Sequence, residues 1–140
     1  EEAAKGTFFG LNVTHRKEHL IRAALEGISF NLYKIAQSLP SGNGGEETIL
    51  VSGGLARSRV WLQILADILE KGSLFHDTAK LGLGAAWCAL VGIGKEAGFR
   101  EIKKHIAISD VIEPDHERHE TYKEQYALYE KLCEDVQRYF

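Results

Sequence analysis

Apolar residues recur at helical spacing in four segments of the chain. In the first segment, at about 15–39, they return every three or four positions and predict a long amphipathic helix, with Thr14 placed to cap its N-terminus. The apolar stripe of this helix consists of Ile21, Leu25, Ile28, Leu32, Ile35 and Leu39. The same pattern predicts helices at about 57–71, 79–93 and 117–138. The helix at 79–93 is rich in glycine and alanine, which favours close approach of a neighbouring element.

Shorter apolar runs between these helices predict strands. The run 48–51 is β-branched and typical of a buried strand, and residues 74–75 and 106–108 give weaker strand signals. Residues 6–11, which are aromatic and flanked by glycine, predict a strand or an extended loop. Helices that alternate with strands indicate an α/β layered domain with parallel strand pairing. Two or three strands make a thin sheet for helices of this length, so we expect a further segment to extend or cover it.

Charge and cysteine content favour a soluble cytoplasmic protein. Lys and Arg number 17 and Asp and Glu number 20, which gives a formal net charge of −3. This balance gives no electrostatic reason to expect nucleic acid or an anionic membrane as a partner. No secretory signal opens the chain, and no apolar run is long enough to span a bilayer. Cys88 and Cys133 lie in apolar helical patterns, which predicts buried free thiols in a reducing compartment.

The segment after the first predicted strand is a candidate anion site. There the Gly53–Gly54 turn leads into a helix, so that backbone N–H groups and the helix N-terminus can face a phosphate. By itself this turn indicates little, because many such turns carry glycine for conformational reasons alone. A Walker-type phosphate loop is excluded, since Glu96 stands after Gly94–Lys95 where Ser or Thr is required.

Two segments resemble the signatures of one enzyme family. Residues 6–11 and 19–26, separated by seven residues, fill every constrained position of the second signature of the FGGY carbohydrate kinases. Residues 52–58, with Trp61 and residues 63–69, resemble the adenosine segment of the same family. The two motifs occur in the family's order and separation, and a weaker resemblance extends to the end of the chain.

The resemblance implies a particular fold and a particular part of it. Members of the family have two actin-like (ribonuclease H-like) α/β domains, and ATP and the sugar meet in the cleft between them. Residues 1–140 would form an incomplete C-terminal domain that begins after the first strands of its sheet and ends in a closing helix. The N-terminal sugar-binding domain would be absent. This interpretation accounts for the thin sheet and predicts that the chain is a fragment of a longer kinase.

The resemblance also implies a set of ATP-binding residues. In this family the C-terminal domain supplies most of the surroundings of the adenine and ribose. By motif position, Gly53 and Gly54 would lie along the nucleotide, with Gly54 nearer the phosphates. Ser58 would lie against the adenine and could also cap its helix. Arg57 and Gln63 are further candidates, for which a solvated or packing role is the alternative.

The implied reaction is transfer of the γ-phosphate of ATP to a hydroxyl group. It requires positioning, Mg²⁺ and a carboxylate that accepts the hydroxyl proton. In this family that carboxylate is an Asp of the N-terminal domain, and Asp67 and Asp77 lie in the wrong motifs to replace it. We therefore expect the chain alone to be inactive. One departure from the family pattern lies at 79–86, where acidic and hydroxyl side chains are lost but Gly84 is retained.

The sequence leaves alternatives for the phosphate acceptor and for the general class of function. Residues 6–11, 27–33 and 52–58 look most like bacterial gluconate kinases, with xylulose kinase second and glycerol kinase third. A different class of function is a non-catalytic module that binds a nucleotide or a partner. A thin sheet with exposed edges would favour a homodimer. A sugar-responsive repressor is disfavoured, because it predicts a basic helix-turn-helix that the sequence lacks.

Other conspicuous side chains have structural interpretations. His15 and His19, and likewise His116 and His119, are spaced to share a helix face, but neither pair has the further ligands that zinc requires nearby in the sequence. We expect structural or exposed positions for them. The tyrosines from Tyr122 to Tyr129 predict a packing face rather than a platform for nucleic-acid bases, given their acidic surroundings.

Overall fold

The structure, a computed structural model, describes residues 5–38, 48–76, 82–105 and 108–139. The helices in these ranges are α1 (Lys17–Ser38), α2 (Arg59–Leu69), α3 (Leu83–Gly92) and α4 (His116–Gln137). The strands are β1 (Thr48–Val51), β2 (Gly72–His76) and β3 (Ile108–Ile112). Short 3-10 helices cover Leu55–Arg57 and Phe99–His105. The predicted helices and the strands at 48–51 and 74–75 are thus confirmed, with ends shifted by a few residues. Residues 79–81 of the third predicted helix and 106–107 of the third predicted strand lie outside the described residues, and β3 begins at Ile108.

The beginning of the chain differs from its prediction in two details. Residues 5–12 form no strand, so the extended-loop alternative holds. Thr14 does not cap α1, which begins three residues later. Its hydroxyl instead donates to Oδ1 of Asn12 at 2.6 Å, and the predicted helix start was too early because this local turn competes with the helix. The N-terminal turn of α1 uses Nδ1 of His19, which accepts from the backbone N–H of Arg16 at 3.1 Å.

The sheet has the order β1-β2-β3 and mixed strand directions. β1 and β2 are parallel, with Thr48 opposite Gly72, because α2 crosses between them and returns the chain to the same edge. β2 and β3 are antiparallel, with Ser73 opposite Ile112. The prediction of parallel pairing is therefore wrong for β3. A helix between two strands does not fix their direction when the connection includes a second helical segment, as it does at Phe99–His105.

Helix α2 is the centre of the fold and is buried on two sides. Toward the sheet, one cluster consists of Val51, Leu62, Leu65, Ala66 and Ile112. Toward the other helices, a second cluster consists of Phe30, Ile64, Ile68, Tyr122 and Tyr126. Full burial of one Leu or Ile side chain contributes roughly 1.5–3 kcal/mol. The two faces of α2 therefore anchor both the sheet and the pair of long helices.

The tyrosines of α4 pack as predicted. The Tyr122 ring meets Phe30 of α1 edge-on, at 6.0 Å between ring centroids. Burial raises the pKa of Tyr122 to about 12, so its hydroxyl remains protonated and donates to Oε1 of Glu26 at 2.9 Å. The same hydroxyl accepts from Arg22 at 2.6 Å. This polar triangle fixes α4 against α1 at the rim of the aromatic cluster.

The long apolar stripe of α1 is largely exposed. Ile21 and Ile35, for example, are 52% and 50% exposed, while Leu39 lies outside the described residues. The residues that α1 buries are Ser29 and Phe30, which lie beside the predicted stripe. Helical spacing located an apolar face correctly, but it could not show which face the described elements cover.

Helix α3 packs less closely than its composition predicted. Among its described residues only Trp87 is buried, and Gly84 and its alanine neighbours are exposed. The prediction of buried thiols is also wrong, because Cys88 is exposed and Cys133 is half-buried. The small residues of α3 favour close packing, and the apolar pattern around the cysteines favours burial, but the described elements leave these positions exposed or half-buried. In the part of the chain that the structure describes, no helix is long and apolar enough to cross a membrane.

Candidate functional site

The Gly53–Gly54 turn joins the buried end of β1 to the start of α2. Gly53 has a φ of +83°, a left-handed conformation that glycine adopts without the strain a side chain would cause. Gly54 is right-handed, with φ −63° and ψ −35°, and opens the 3-10 helix that precedes α2. Gly53 therefore allows the chain to reverse direction, and Gly54 begins the helical turn that follows. The turn lies at the carboxyl end of a parallel strand, where α/β folds commonly bind ligands.

The backbone of the Gly53–Gly54 turn has open space around it. A Cβ atom added at Gly53 or at Gly54 would meet no atom within 4 Å, and Gly54 is exposed. The space in front of these two residues is therefore accessible to a ligand that approaches the backbone closely. Together with the positive end of α2, such a surface suits an anion.

Ser58 caps helix α2, as the sequence predicted. Its Oγ accepts a hydrogen bond from the backbone N–H of Trp61 at 3.3 Å, and its backbone is extended, as an N-cap requires. Arg57 ends the preceding 3-10 helix and is exposed. These two residues therefore follow the glycine turn directly along the chain and belong to the same surface feature.

Changing Ser58 to alanine should lower the free energy of unfolding by about 1 kcal/mol, because one N–H group at the start of α2 loses its partner. Ser58→Asn should restore most of this loss, since asparagine is an equally good cap. Urea unfolding measures both changes. The matched control is Ser38→Ala, at the exposed end of α1, and an equal loss in that variant would contradict the capping role.

Gln63 is engaged in a different network from the turn. Its amide nitrogen donates to Oδ1 of Asp67 at 2.7 Å and to the carbonyl of Glu113 at 2.9 Å. Both amide hydrogens are thereby used, so a contact with a nucleotide would have to come from its carbonyl oxygen. In the described residues, Gln63 serves to connect α2 with the segment that leads into α4.

Asp67 is the centre of that network, and its role was missed from the sequence. Its side chain is completely buried. Oδ1 accepts from the backbone N–H of Asp115 at 2.8 Å, and Oδ2 lies 3.4 Å from the Arg118 guanidinium. The available signal was an aspartate on an otherwise apolar helix face, between Ala66 and Ile68, because a buried carboxylate of this kind must be paired.

The histidines of α4 complete the contact between α2 and α4. His119 is buried, and its Nδ1 lies 2.8 Å from the carbonyl oxygen of Asp67. Its Nε2 lies 3.3 Å from the carboxylate of Glu70, which also lies 3.4 Å from Nδ1 of His116. We call the contacts of Asp67 and Glu70 with the start of α4 the α2–α4 junction. Its contacts connect α2 with the start of α4.

The family model for the C-terminal domain of the FGGY carbohydrate kinases matches residues 1–93 of the chain. The chain belongs to the FGGY family. It is 40% identical over 129 residues to a gluconokinase of Bacillus licheniformis, covering 91% of this chain and 24% of that protein. It is 31% identical over 137 residues to a xylulose kinase of Staphylococcus epidermidis, covering 96% of this chain and 27% of that protein. The chain thus spans about a quarter of the length of these FGGY relatives.

The fold agrees with the family. The ligand-bound xylulose kinase of Lactobacillus acidophilus superposes with a TM-score of 0.83 at 27% identity, covering 96% of this chain and 28% of that one. The three strands and four helices of the described residues therefore belong to the actin-like α/β fold of FGGY kinases, as the sequence predicted. In this FGGY chain, the Gly53–Gly54 turn leads directly into the capped start of α2.

Proposed function

We propose that this chain is the nucleotide-side part of an ATP-dependent carbohydrate kinase, with D-gluconate as the acceptor. The observation that carries the proposal is the turn at Gly53, whose φ of +83° exposes the backbone of Gly54 at the start of a capped helix. A phosphate chain can lie against such a backbone because no side chain stands in front of it. Membership of the FGGY family supplies the reaction class.

The nucleotide would extend from the turn toward the start of α2. Gly54 would lie nearer the phosphates, Gly53 beside them and Ser58 against the adenine. Arg57, which is exposed, could reach the nucleotide from the end of the 3-10 helix. Gln63 would contribute only through its carbonyl oxygen, because its amide hydrogens are bound to Asp67 and Glu113.

The proton-accepting carboxylate of this reaction would come from the N-terminal sugar-binding domain of the family. Asp67, which precedes the end of α2, is buried and accepts hydrogen bonds from its neighbours, so it is unsuited to receive a proton from a substrate. Asp77 lies outside the described residues. We propose that a complete enzyme combines that domain with the elements described above.

Mg²⁺ would enter the site with ATP. Among the residues that the structure describes, no group of three or more His, Cys, Asp or Glu side chains could hold a metal ion. Magnesium in phosphoryl-transfer enzymes is commonly held by substrate phosphates and one or two carboxylates, with water in the remaining positions. The role of this chain would be to position the phosphates to which the ion is bound. A cytoplasmic location, with its supply of ATP and its reduced thiols, suits this function.

The choice of gluconate as the acceptor follows the level of identity. The chain is 40% identical to the gluconokinase and 31% identical to the xylulose kinase. Because the acceptor-binding side chains would lie mainly in the sugar-binding domain, this choice depends on overall similarity and not on a pocket in the described residues. Xylulose is the second candidate.

Gly54→Val should weaken ATP binding at least tenfold, because the branched side chain would occupy the space that the phosphates need. The change is suitable as a test because Gly54 has a right-handed backbone and an added Cβ meets no atom within 4 Å, so the fold should tolerate it. Titration of the purified chain with ATP, followed by calorimetry or by amide shifts, measures the effect.

The matched control is Gly98→Val, at another glycine with open space around it. It should leave ATP binding unchanged. If ATP binds the unmodified chain with the same affinity as Gly54→Val, the turn is not the nucleotide site. If both valine variants lose binding together with their thermal stability, the cause is misfolding.

A further inference from the structure

Three arginines from three different helices line one cavity of about 290 Å³. Arg22 comes from α1, Arg59 from the first position of α2, and Arg118 from the first turn of α4. Val60 and Gln63 complete the lining. Neither glycine of the candidate nucleotide turn contributes to this cavity. Of the candidate ATP-binding residues, Gln63 alone lines it, so the cavity does not include the turn.

Each guanidinium is held in position by an acidic or phenolic partner. Arg22 donates to Glu26 at 2.7 Å and to Tyr122 at 2.6 Å, and the hydrogen bonds of this group to Glu26 and Tyr122 raise its pKa against the opposing effect of burial. Arg59 pairs with Asp110. Such pairs restrict the side chains in part before a ligand binds, and least for Arg59, which is 75% exposed.

Arg118 is held in the same manner by the α2–α4 junction. Its Nε lies 3.2 Å from Asp115 and its terminal nitrogen 3.4 Å from Asp67. A guanidinium has five N–H donors, and the contacts described for the three arginines use only some of them. Further donors are therefore available for a ligand.

The wall of the cavity is cationic although the region as a whole contains carboxylates. The acidic partners are Glu26, Asp67, Asp110 and Asp115. None of them is among the residues that line the cavity, all of which belong to the described part of the chain. The first turns of α2 and α4 also contribute to the lining, and the N-terminal end of a helix carries partial positive charge. An anion in the cavity would thus be surrounded by three arginines and by no acidic residue of the lining.

We propose that this cavity binds the phosphate group of a small molecule. Planar guanidinium groups bind phosphate through paired hydrogen bonds, which favours arginine at such sites. A cavity of about 290 Å³ is large enough to take a phosphate group. The ligand is either free phosphate or a phosphorylated small metabolite whose remaining part extends into solvent. The assignment does not depend on the proposed kinase function.

Titration of the full chain with inorganic phosphate, at constant ionic strength adjusted with sodium chloride, tests the assignment. The backbone amides of Val60 and Gln63 and the Nε–H groups of the three arginines should shift in NMR spectra and reach saturation. Arg59→Gln should weaken phosphate binding about tenfold, the expected effect of losing one charge-assisted contact. The phosphate affinity of Arg59→Lys should lie between those of the unmodified chain and Arg59→Gln, because lysine keeps the positive charge but lacks the paired N–H donors of the guanidinium.

The control is Arg138→Gln, which removes an exposed arginine paired with Asp135 outside the cavity and should bind phosphate as the unmodified chain does. Arg59 is 75% exposed at its side chain, so its replacement should leave the fold intact, which the dispersion of the same spectra verifies. A parallel titration with glucose 6-phosphate distinguishes the two sources of the bound phosphate group. Tighter binding of glucose 6-phosphate than of inorganic phosphate indicates a phosphorylated metabolite. Equal binding of the two indicates free phosphate. Shifts that do not saturate, or that occur at Gly53 and Gly54 and are unaffected by Arg59→Gln, would overturn the proposal.

Discussion

Replacing Asp67 with alanine should lower the free energy of unfolding by about 3 kcal/mol, the order expected when one partner is removed from a buried network of charges and hydrogen bonds. The carboxylate is completely buried and accepts from Gln63 and from the backbone N–H of Asp115. After its removal the N–H of Asp115, at the start of α4, would have no acceptor from this side chain. Arg118 contributes less, since it is 54% exposed and 3.4 Å away.

Urea unfolding followed by circular dichroism measures this loss. Asp67→Asn keeps the shape and one acceptor oxygen, so its effect should be smaller than that of alanine. Asp135→Ala is the matched control, because Asp135 forms an exposed pair with Arg138 one turn along α4 and its loss should change stability by less than about 0.5 kcal/mol. Equal effects of Asp67→Ala and Asp135→Ala would show that the α2–α4 junction does not stabilise the fold.

The same residue shows what the sequence could and could not predict about the fold. The apolar periodicity of α2 predicts a buried face formed by Trp61, Leu65 and Ile68. Leu65 and Ile68 are buried, whereas Trp61 is half-buried. Asp67, between Ala66 and Ile68, interrupts this apolar pattern, so the pattern does not predict that its side chain is buried. Only the arrival of α4, more than forty residues later in the chain, explains why a carboxylate is tolerated there. Pairing across such a separation leaves no local pattern, so the junction could not be predicted.

The direction of β3 and the exposure of α1 have a similar cause. The short runs at β1 and β2 and the helix between them determine parallel pairing locally. No comparable rule applies to β3, which is antiparallel to β2. The stripe of α1, including Ile21 and Ile35, is apolar but exposed among the described elements, because a periodic pattern indicates that a face is suited to burial without indicating what buries it.

The candidate site was more predictable, because its determinants are local. A strand that runs into Gly53–Gly54 and a helix that begins after Ser58 are neighbours in the sequence, and the structure has the capped helix and the left-handed glycine at those positions. Arg57 is exposed at the end of the 3-10 helix that precedes α2, and its contact with a nucleotide stays a prediction. Gln63 is the exception, since its amide hydrogens are bound to Asp67 and Glu113. Its partner Glu113 is fifty residues away, and the motif carries no information about it.

The chain alone should transfer no phosphate from ATP to gluconate, which is the largest functional effect that we predict. The reaction requires a carboxylate at the acceptor hydroxyl, and general-base catalysis typically contributes about 10²–10⁴-fold to a rate. In the proposed division, the acceptor-binding surface also belongs to the sugar-binding domain, and with it the positioning that brings the two substrates together. A coupled assay for ADP release, with and without gluconate, measures the activity. Gluconate-dependent turnover by the purified chain would contradict both the proposed division of labour and the assignment of the base.

Joining the remaining three quarters of the gluconokinase relative to this chain should restore gluconate-dependent release of ADP, since the chain corresponds to about a quarter of that protein. In this chimera Gly54→Val should raise the KM for ATP at least tenfold and leave the KM for gluconate nearly unchanged, because in the proposed site the turn would contact ATP and not gluconate. Gly98→Val should alter neither constant. A chimera that folds and binds gluconate, but in which Gly54→Val raises both KM values equally, would place the turn outside the nucleotide site. This outcome would leave the family membership intact and would require a different surface of the chain for ATP.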